Sequence, residues 1–132
     1  MAFNSNQWTA YGVVLYEPRL MKMSGDNVAC RTVIATQSAR DKVYLPITAY
    51  NKKAHTLIAL AHKGSTIFVK GSFRTKTTTT SIKAKELLHL ELKVNEFEVL
   101  LREPVKIEDT DFADAVAVYD PETFMEVEED VE

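Results

Sequence analysis

Cysteine occurs once, histidine three times, and glycine and proline four times each in 132 residues. A single thiol, Cys30, excludes an intramolecular disulfide. Its place inside an apolar, strand-like run marks it as a small core residue rather than a nucleophile. His55, His62 and His89 stand at no metal-ligand spacing, because zinc sites need paired ligands a few residues apart. His55 and His62 read as exposed helix positions. The glycines are scattered at 12, 25, 64 and 71, which leaves no glycine-rich phosphate cradle. No Ser/His/Asp order stands out, and Asp26 and Asp41 have no carboxylate partner for acid–base work. The chain offers no argument for an enzyme, a cofactor or a metal. No apolar run approaches the ~18 residues of a membrane span. Met1 to Gln7 lack the basic and apolar stretches of a signal peptide. The expectation is a cytoplasmic protein without a membrane partner.

Charge is present in quantity and is unevenly placed. The net charge of -3 hides two regions of opposite sign. Residues 1–104 hold fifteen Lys and Arg against eight Asp and Glu, a net of +7. Residues 105–132 hold one Lys against eleven acids, a net of -10. This predicts a folding domain over 1–104, of about the usual domain size, followed by an acidic tail over 105–132. The tail's apolar residues (Phe112, Val116, Val118, Tyr119, Phe124, Met125) are isolated, and high charge with sparse apolar content predicts disorder. A basic body joined to an acidic tail points to polyanion binding. The tail then either meets basic protein surfaces or competes for the binding groove.

Hydrophobic periodicity supplies the fold. Thr9–Met23 is rich in β-branched and aromatic residues and reads as one strand, bent or broken near Glu17–Pro18 because proline cannot donate to a central ladder. A turn at Ser24–Asn27 follows, then a second strand over Val28–Gln37 and a third over Val43–Tyr50. In the third, Val43, Leu45, Ile47 and Ala49 alternate with Tyr44, Pro46, Thr48 and Tyr50. The first set is the expected core face. The second leaves two tyrosines on a polar face.

Lys52–Lys63 changes to a helical period through Leu57, Ile58, Leu60 and Ala61, with Lys63-Gly64-Ser65 as its expected stop. A fourth strand spans Thr66–Arg74, with Gly71 marking a bulge or close backbone approach. The hydroxyl- and lysine-rich stretch Thr75–Lys85 reads as a long mobile hairpin loop. A fifth strand spans Glu86–Leu101. Its apolar parity changes from Leu88, Leu90, Leu92 and Val94 to Phe97, Val99 and Leu101, which a bulge near Asn95–Glu96 would reconcile. The expected architecture is all-β: five strands with one helix between the third and fourth. That is the layout of the oligonucleotide-binding (OB) Greek-key barrel, although other small five-stranded barrels satisfy the same periodicity.

Three features suit such a barrel to single-stranded nucleic acid. Lys70, Arg74, Lys76, Lys83 and Lys85 gather on the fourth strand and its hairpin, where phosphate binding would release counterions. Tyr44, Tyr50, Phe68 and Phe73 offer rings on which bases stack without regard to sequence, although Phe68 and Phe73 have opposite strand parity. The Thr/Lys hairpin suits a clamp that tracks a phosphate backbone. A protein-interaction role is the rival class: an OB barrel acting as a replisome or primosome adaptor.

The chain resembles the single-stranded-DNA-binding proteins of bacteria and their phages. The likeness is carried by Gly12–Leu20, by Val33–Ser38, and most specifically by Lys63–Lys76, the run KGSTIFVKGSFRTK. It covers roughly residues 8–101. The resemblance implies a protein that coats unwound DNA during replication, recombination and repair. It also implies a homo-oligomer, a tetramer ahead of a dimer, whose acidic tail recruits replication or recombination enzymes. Tyr44 and Tyr50 fall at the family's stacking positions, and Arg74 and Lys76 at its basic hairpin positions. The full expected DNA-binding set is Tyr44, Thr48, Tyr50, Lys52, Phe68, Lys70, Phe73, Arg74, Lys76, Lys83 and Lys85. The expected partner-binding set in the tail is Asp120, Phe124, Glu128, Glu129 and Asp130. Threonines after Lys76 replace a further stacking aromatic common in the family. The tail lacks both the usual hydrophobic tip and the Gly/Gln/Pro-rich linker. Compactness and the absent linker point to a phage-encoded member, acting in the cytoplasm of a bacterial host.

Overall fold

Pro18 divides the first expected strand in two. The computed structural model describes residues 6–38, 41–80, 85–100 and 103–118. Its strands are β1 (Trp8–Val14), β2 (Arg19–Lys22), β3 (Val28–Ser38), β4 (Asp41–Tyr50), β5 (Thr66–Thr80) and β6 (Lys85–Val99). Helix α1 spans Lys52–Leu60 and helix α2 spans Asp109–Val118. Both β1 and β2 lie against β3, so together they occupy the place of the single broken strand read from the sequence. The helix expected between the third and fourth strands therefore falls between β4 and β5.

The sheet order is β1-β5-β6-β4-β3-β2, and a further β1–β3 pairing closes five of the strands into a barrel. The β4–β6 seam is parallel, with Ile47 opposite Leu92 and Thr48 opposite Lys93. The other ladders among the described residues are antiparallel. This closed Greek-key arrangement is the OB fold.

Two glycines stand where the backbones come closest. A Cβ on Gly12 would lie 2.3 Å from the Ala35 carbonyl oxygen, beside the β1–β3 closure. One on Gly71 would lie 1.9 Å from the Lys93 carbonyl oxygen. The Gly71 contact accompanies a bulge. Lys70 pairs with Glu96 and Gly71 with Val94, which leaves Asn95 as the extra residue. The bulge lets Leu92 and Val94 on one side, and Phe97 and Val99 on the other, all turn toward the core.

The barrel interior is built from Val14, Cys30, Ile34, Ile47, Ala49, Ile67, Val69, Leu92 and Val94. Ala54, Leu57 and Ala61 join the same cluster from α1 and its C-terminal end. Burying each larger aliphatic side chain stabilises the fold by about 1.5–3 kcal/mol. Cys30 is part of this interior, and burial pushes its thiol pKa up to about 12.

Several expectations need correction. Val43 and Leu60, read as core, are exposed. Val43 lies near the start of β4, and Leu60 is the last residue of α1. The helix stops at Leu60 with Ala61 already extended, so Gly64 (φ 94°) serves the turn into β5 and not the helix cap. Thr75–Thr80 is not a loop. It continues β5 and pairs residue by residue with β6 out to Thr80 opposite Lys85, so the hairpin is a two-stranded arm. β-branched threonine favours the extended backbone even without an apolar face.

The expectation of a structureless segment from residue 105 onward is corrected over Asp109–Val118, which is helical. Ala115 is buried with Leu15, Tyr16 and Val33, and Ile107 and Phe112 pack against the same cluster. The tail residues Asp120, Phe124, Glu128, Glu129 and Asp130 lie outside the described residues.

Candidate nucleic-acid interface

Period-two alternation turns Ile47 and Ala49 of β4 into the barrel and Tyr44, Thr48 and Tyr50 outward. On the adjoining strands the outward set is Arg31 and Val33 of β3, Glu91 and Lys93 of β6, and Arg74 of β5. Register brings them together: Arg31 faces Thr48, Thr48 faces Lys93, and Arg74 faces Glu91.

The centre of this outer wall is a carboxylate. Glu91 is 0% exposed, yet it is an ionisable residue on the outer side of the barrel. Arg74 donates from Nε and Nη2 to Glu91 Oε1 at 3.0 and 2.9 Å. The Thr48 hydroxyl donates to Oε2 at 2.9 Å. Buried Arg31 stands 3.9 Å from Oε2. Burying a carboxylate without partners costs several kcal/mol, and charge-assisted hydrogen bonds offset that cost. Removing a single partner is correspondingly disruptive.

The same guanidinium meets a ring. Arg74 Cζ lies 4.7 Å from the Tyr50 ring centre, and Lys93 Nζ lies 5.9 Å from it, both within cation–π reach. Tyr50 and Arg74 are half-buried and Lys93 is exposed. Together with Met23, Ser24, Asn27 and Asn51 they line an open recess of about 350 Å³. Asn51 fixes its rim. The Val28 N–H donates to Asn51 Oδ1 at 3.1 Å, and the Asn51 N–H donates to the Val28 carbonyl at 2.8 Å. Asn51 adopts φ 55° and ψ -119°, a positive-φ backbone outside the left-handed helical well that a non-glycine residue holds only at a cost.

The other expected site residues are distributed as follows. Tyr44 is half-buried on the same wall but packs against the Leu15–Tyr16–Val33–Ala115 cluster, beneath the C-terminal segment. Thr48 is fully buried, so it serves the wall from within and presents nothing to a ligand. Lys52 is exposed at the start of α1, two residues beyond Tyr50.

Phe73 packs against the core and meets Trp8 in a tilted contact, centroids 5.1 Å apart and planes at 60°, so it is not an outer-wall ring. Phe68 and Lys70 point outward where β5 pairs with β1, opposite Tyr11 and Thr9. That places them on a different stretch of the barrel from Tyr50. Lys76 and Lys85 belong to the backbone ladder of the arm, and Lys83 lies outside the described residues.

Sequence reading missed Glu91, Arg31 and Lys93. Each is a charged residue at the outward parity of a strand whose alternate residues are apolar, and only the register shows that they converge. It also missed the pairing of His62. Its Nδ1 lies 2.8 Å from Glu17 Oε1, while the Lys63 N–H donates to Glu17 Oε2 at 2.8 Å.

The closed five-strand barrel defines the OB fold, and a tyrosine, a guanidinium and a lysine stand together on one open wall of it. The model of the single-strand binding protein family matches residues 5–100, and the chain belongs to that family. No curated protein matches the chain. Membership makes single-stranded DNA the ligand class. Among the described residues, no group of three or more His, Cys, Asp or Glu could hold a metal ion, and no helix is long and apolar enough to cross a membrane.

Proposed function

We propose that the protein binds and protects single-stranded DNA with little sequence preference during replication, recombination and repair. The strand runs along the outer wall of β4, β6 and β5. Bases stack at Tyr50, and phosphates meet Lys93, Lys52 and the lysines of the β5–β6 arm. The observation that carries this reading is the Tyr50 ring, half-exposed and flanked by Arg74 and Lys93 over an open recess. A stacked base contributes about 1–3 kcal/mol without regard to its identity, which accounts for sequence tolerance.

The chain assembles as a homo-oligomer, a tetramer ahead of a dimer. Exposed Tyr11 and Phe68, opposite each other on the β1–β5 side, supply the apolar surface for that contact. The acidic residues beyond α2, among them Asp120, Glu128, Glu129 and Asp130, recruit replication or recombination proteins. Phe124 supplies an apolar anchor among them.

Titration of a thymidine homopolymer and of a duplex at two salt concentrations tests the DNA reading. Binding to the single strand should exceed binding to the duplex. It should weaken with salt by about 0.7 log units per log unit for each phosphate contact. Equal binding to both forms, or none, overturns it.

A further inference from the structure

Resting on the DNA-binding reading, we infer that Glu91 is a positioning residue that turns Arg74 from a phosphate-pairing cation into a fixed stacking plane beside Tyr50. Arg74 is the basic residue that sequence assigns to phosphate. In the structure its Nε–Nη2 edge, the fork that would grip a phosphate, is already engaged by Glu91 Oε1 at 3.0 and 2.9 Å. The carboxylate is itself held on both oxygens. It is wholly buried, with Oε2 accepting from Thr48 and facing buried Arg31. A guanidinium held by its Nε–Nη2 edge keeps its Nη1 donors and its planar faces, and it sits 4.7 Å from the centre of the Tyr50 ring, where the faces are what a stacked base would meet. Guanidinium is weakly hydrated and stacks readily, whereas an ammonium at the same place would keep its water. Lys93, exposed and 5.9 Å from the ring, remains as the cation for the strand's backbone. The wall thus separates its two tasks: Tyr50 with Arg74 for the base, and lysines for the phosphates.

The two roles for Arg74 leave different salt signatures. A phosphate contact contributes about 0.7 to the log–log salt slope for single strands, and a stacking plane contributes none. The experiment measures affinity for a thymidine homopolymer over a salt series for the full-length wild-type chain, Arg74→Ala and Arg74→Lys, with circular dichroism to verify folding. Both variants should bind at least about fivefold more weakly, the equivalent of one lost stacking contact, with the wild-type slope unchanged.

Glu91→Ala, where it folds, should release the fork and steepen the slope by about 0.7. The Arg74 pair carries the test without it. The inference is overturned if Arg74→Ala lowers the slope by about 0.7. It is equally overturned if Arg74→Lys restores wild-type affinity, or if both variants bind like wild type. Failure of the wild-type chain to bind at all is a distinct result and overturns the DNA-binding reading instead.

Discussion

Tyr16 and Phe112 meet edge to face, ring centres 5.9 Å apart, and this contact joins the barrel to the C-terminal helix. Lys63 adds a cation over the same Phe112 ring at 4.7 Å. The helix places Glu108 and Asp109 at its N-terminal end, where its dipole favours negative charge. It also packs on the cluster that Tyr44 touches. An acidic element therefore lies beside Tyr44, which the sequence assigns to DNA but which the proposed path along Tyr50 does not use.

Loosening that helix should favour DNA. Edge-to-face aromatic pairs contribute about 0.5–1.5 kcal/mol beyond their area, so Phe112→Ala should weaken the docking of α2 by at least that amount. Affinity for a thymidine oligonucleotide should rise by up to about tenfold at low salt, and less at high salt, where repulsion between acids and phosphates is screened. Tyr44→Ala should then cost more in the Phe112→Ala background than alone. Unchanged affinity in Phe112→Ala, with no coupling to Tyr44, would show that α2 stands clear of the bound strand.

Acid should release a second link. Glu17 accepts from the Lys63 backbone N–H, which is the main cause of its lowered pKa; partial burial opposes that shift and His62 adds to it. Its folded pKa lies below the ordinary 4.5. Its stabilising contribution is therefore complete above that value and is lost as pH falls through the lower folded pKa. Thermal unfolding followed from pH 7 to pH 3 should show a steeper loss of Tm below 4.5 in wild type than in Glu17→Gln. Parallel curves for the two proteins would remove Glu17 from acid stability.

Gly71→Ala should destabilise the barrel. The new methyl would stand 1.9 Å from the Lys93 carbonyl oxygen, a backbone atom that cannot turn aside. Overpacking of this kind costs typically about 1–3 kcal/mol. Displacing Lys93 also disturbs the cation beside Tyr50, so affinity and stability should fall together. Urea denaturation with an unchanged midpoint would contradict the close approach.

Much of the barrel is readable from residue order because each element rests on a local signal. Pro18 breaks the first strand. Tyr44 to Tyr50 alternate cleanly. The parity change from Leu92 and Val94 to Phe97 and Val99 announces the bulge that the structure places at Asn95. The arm was less legible, because Thr75 to Thr80 carry no apolar alternation and owe their order to pairing with β6. Helix α2 has only a short apolar stripe, Phe112, Ala115 and Val116, among acids. That stripe becomes meaningful once Leu15, Tyr16 and Val33 are known to form its seat. Tyr50 and Arg74 were legible as site residues one at a time. Glu91 was not, because an acid between Leu90 and Leu92 reads as a solvated position until register sets it opposite Arg74.

Binding of a labelled thymidine homopolymer by wild type and by Tyr50→Ala, followed by fluorescence anisotropy at one fixed salt concentration, puts the proposed wall at risk directly. Loss of the ring should weaken binding by about 1 kcal/mol or more, roughly fivefold, while the variant keeps the wild-type circular dichroism spectrum. Equal affinity of the two proteins would mean that the strand passes elsewhere on the barrel.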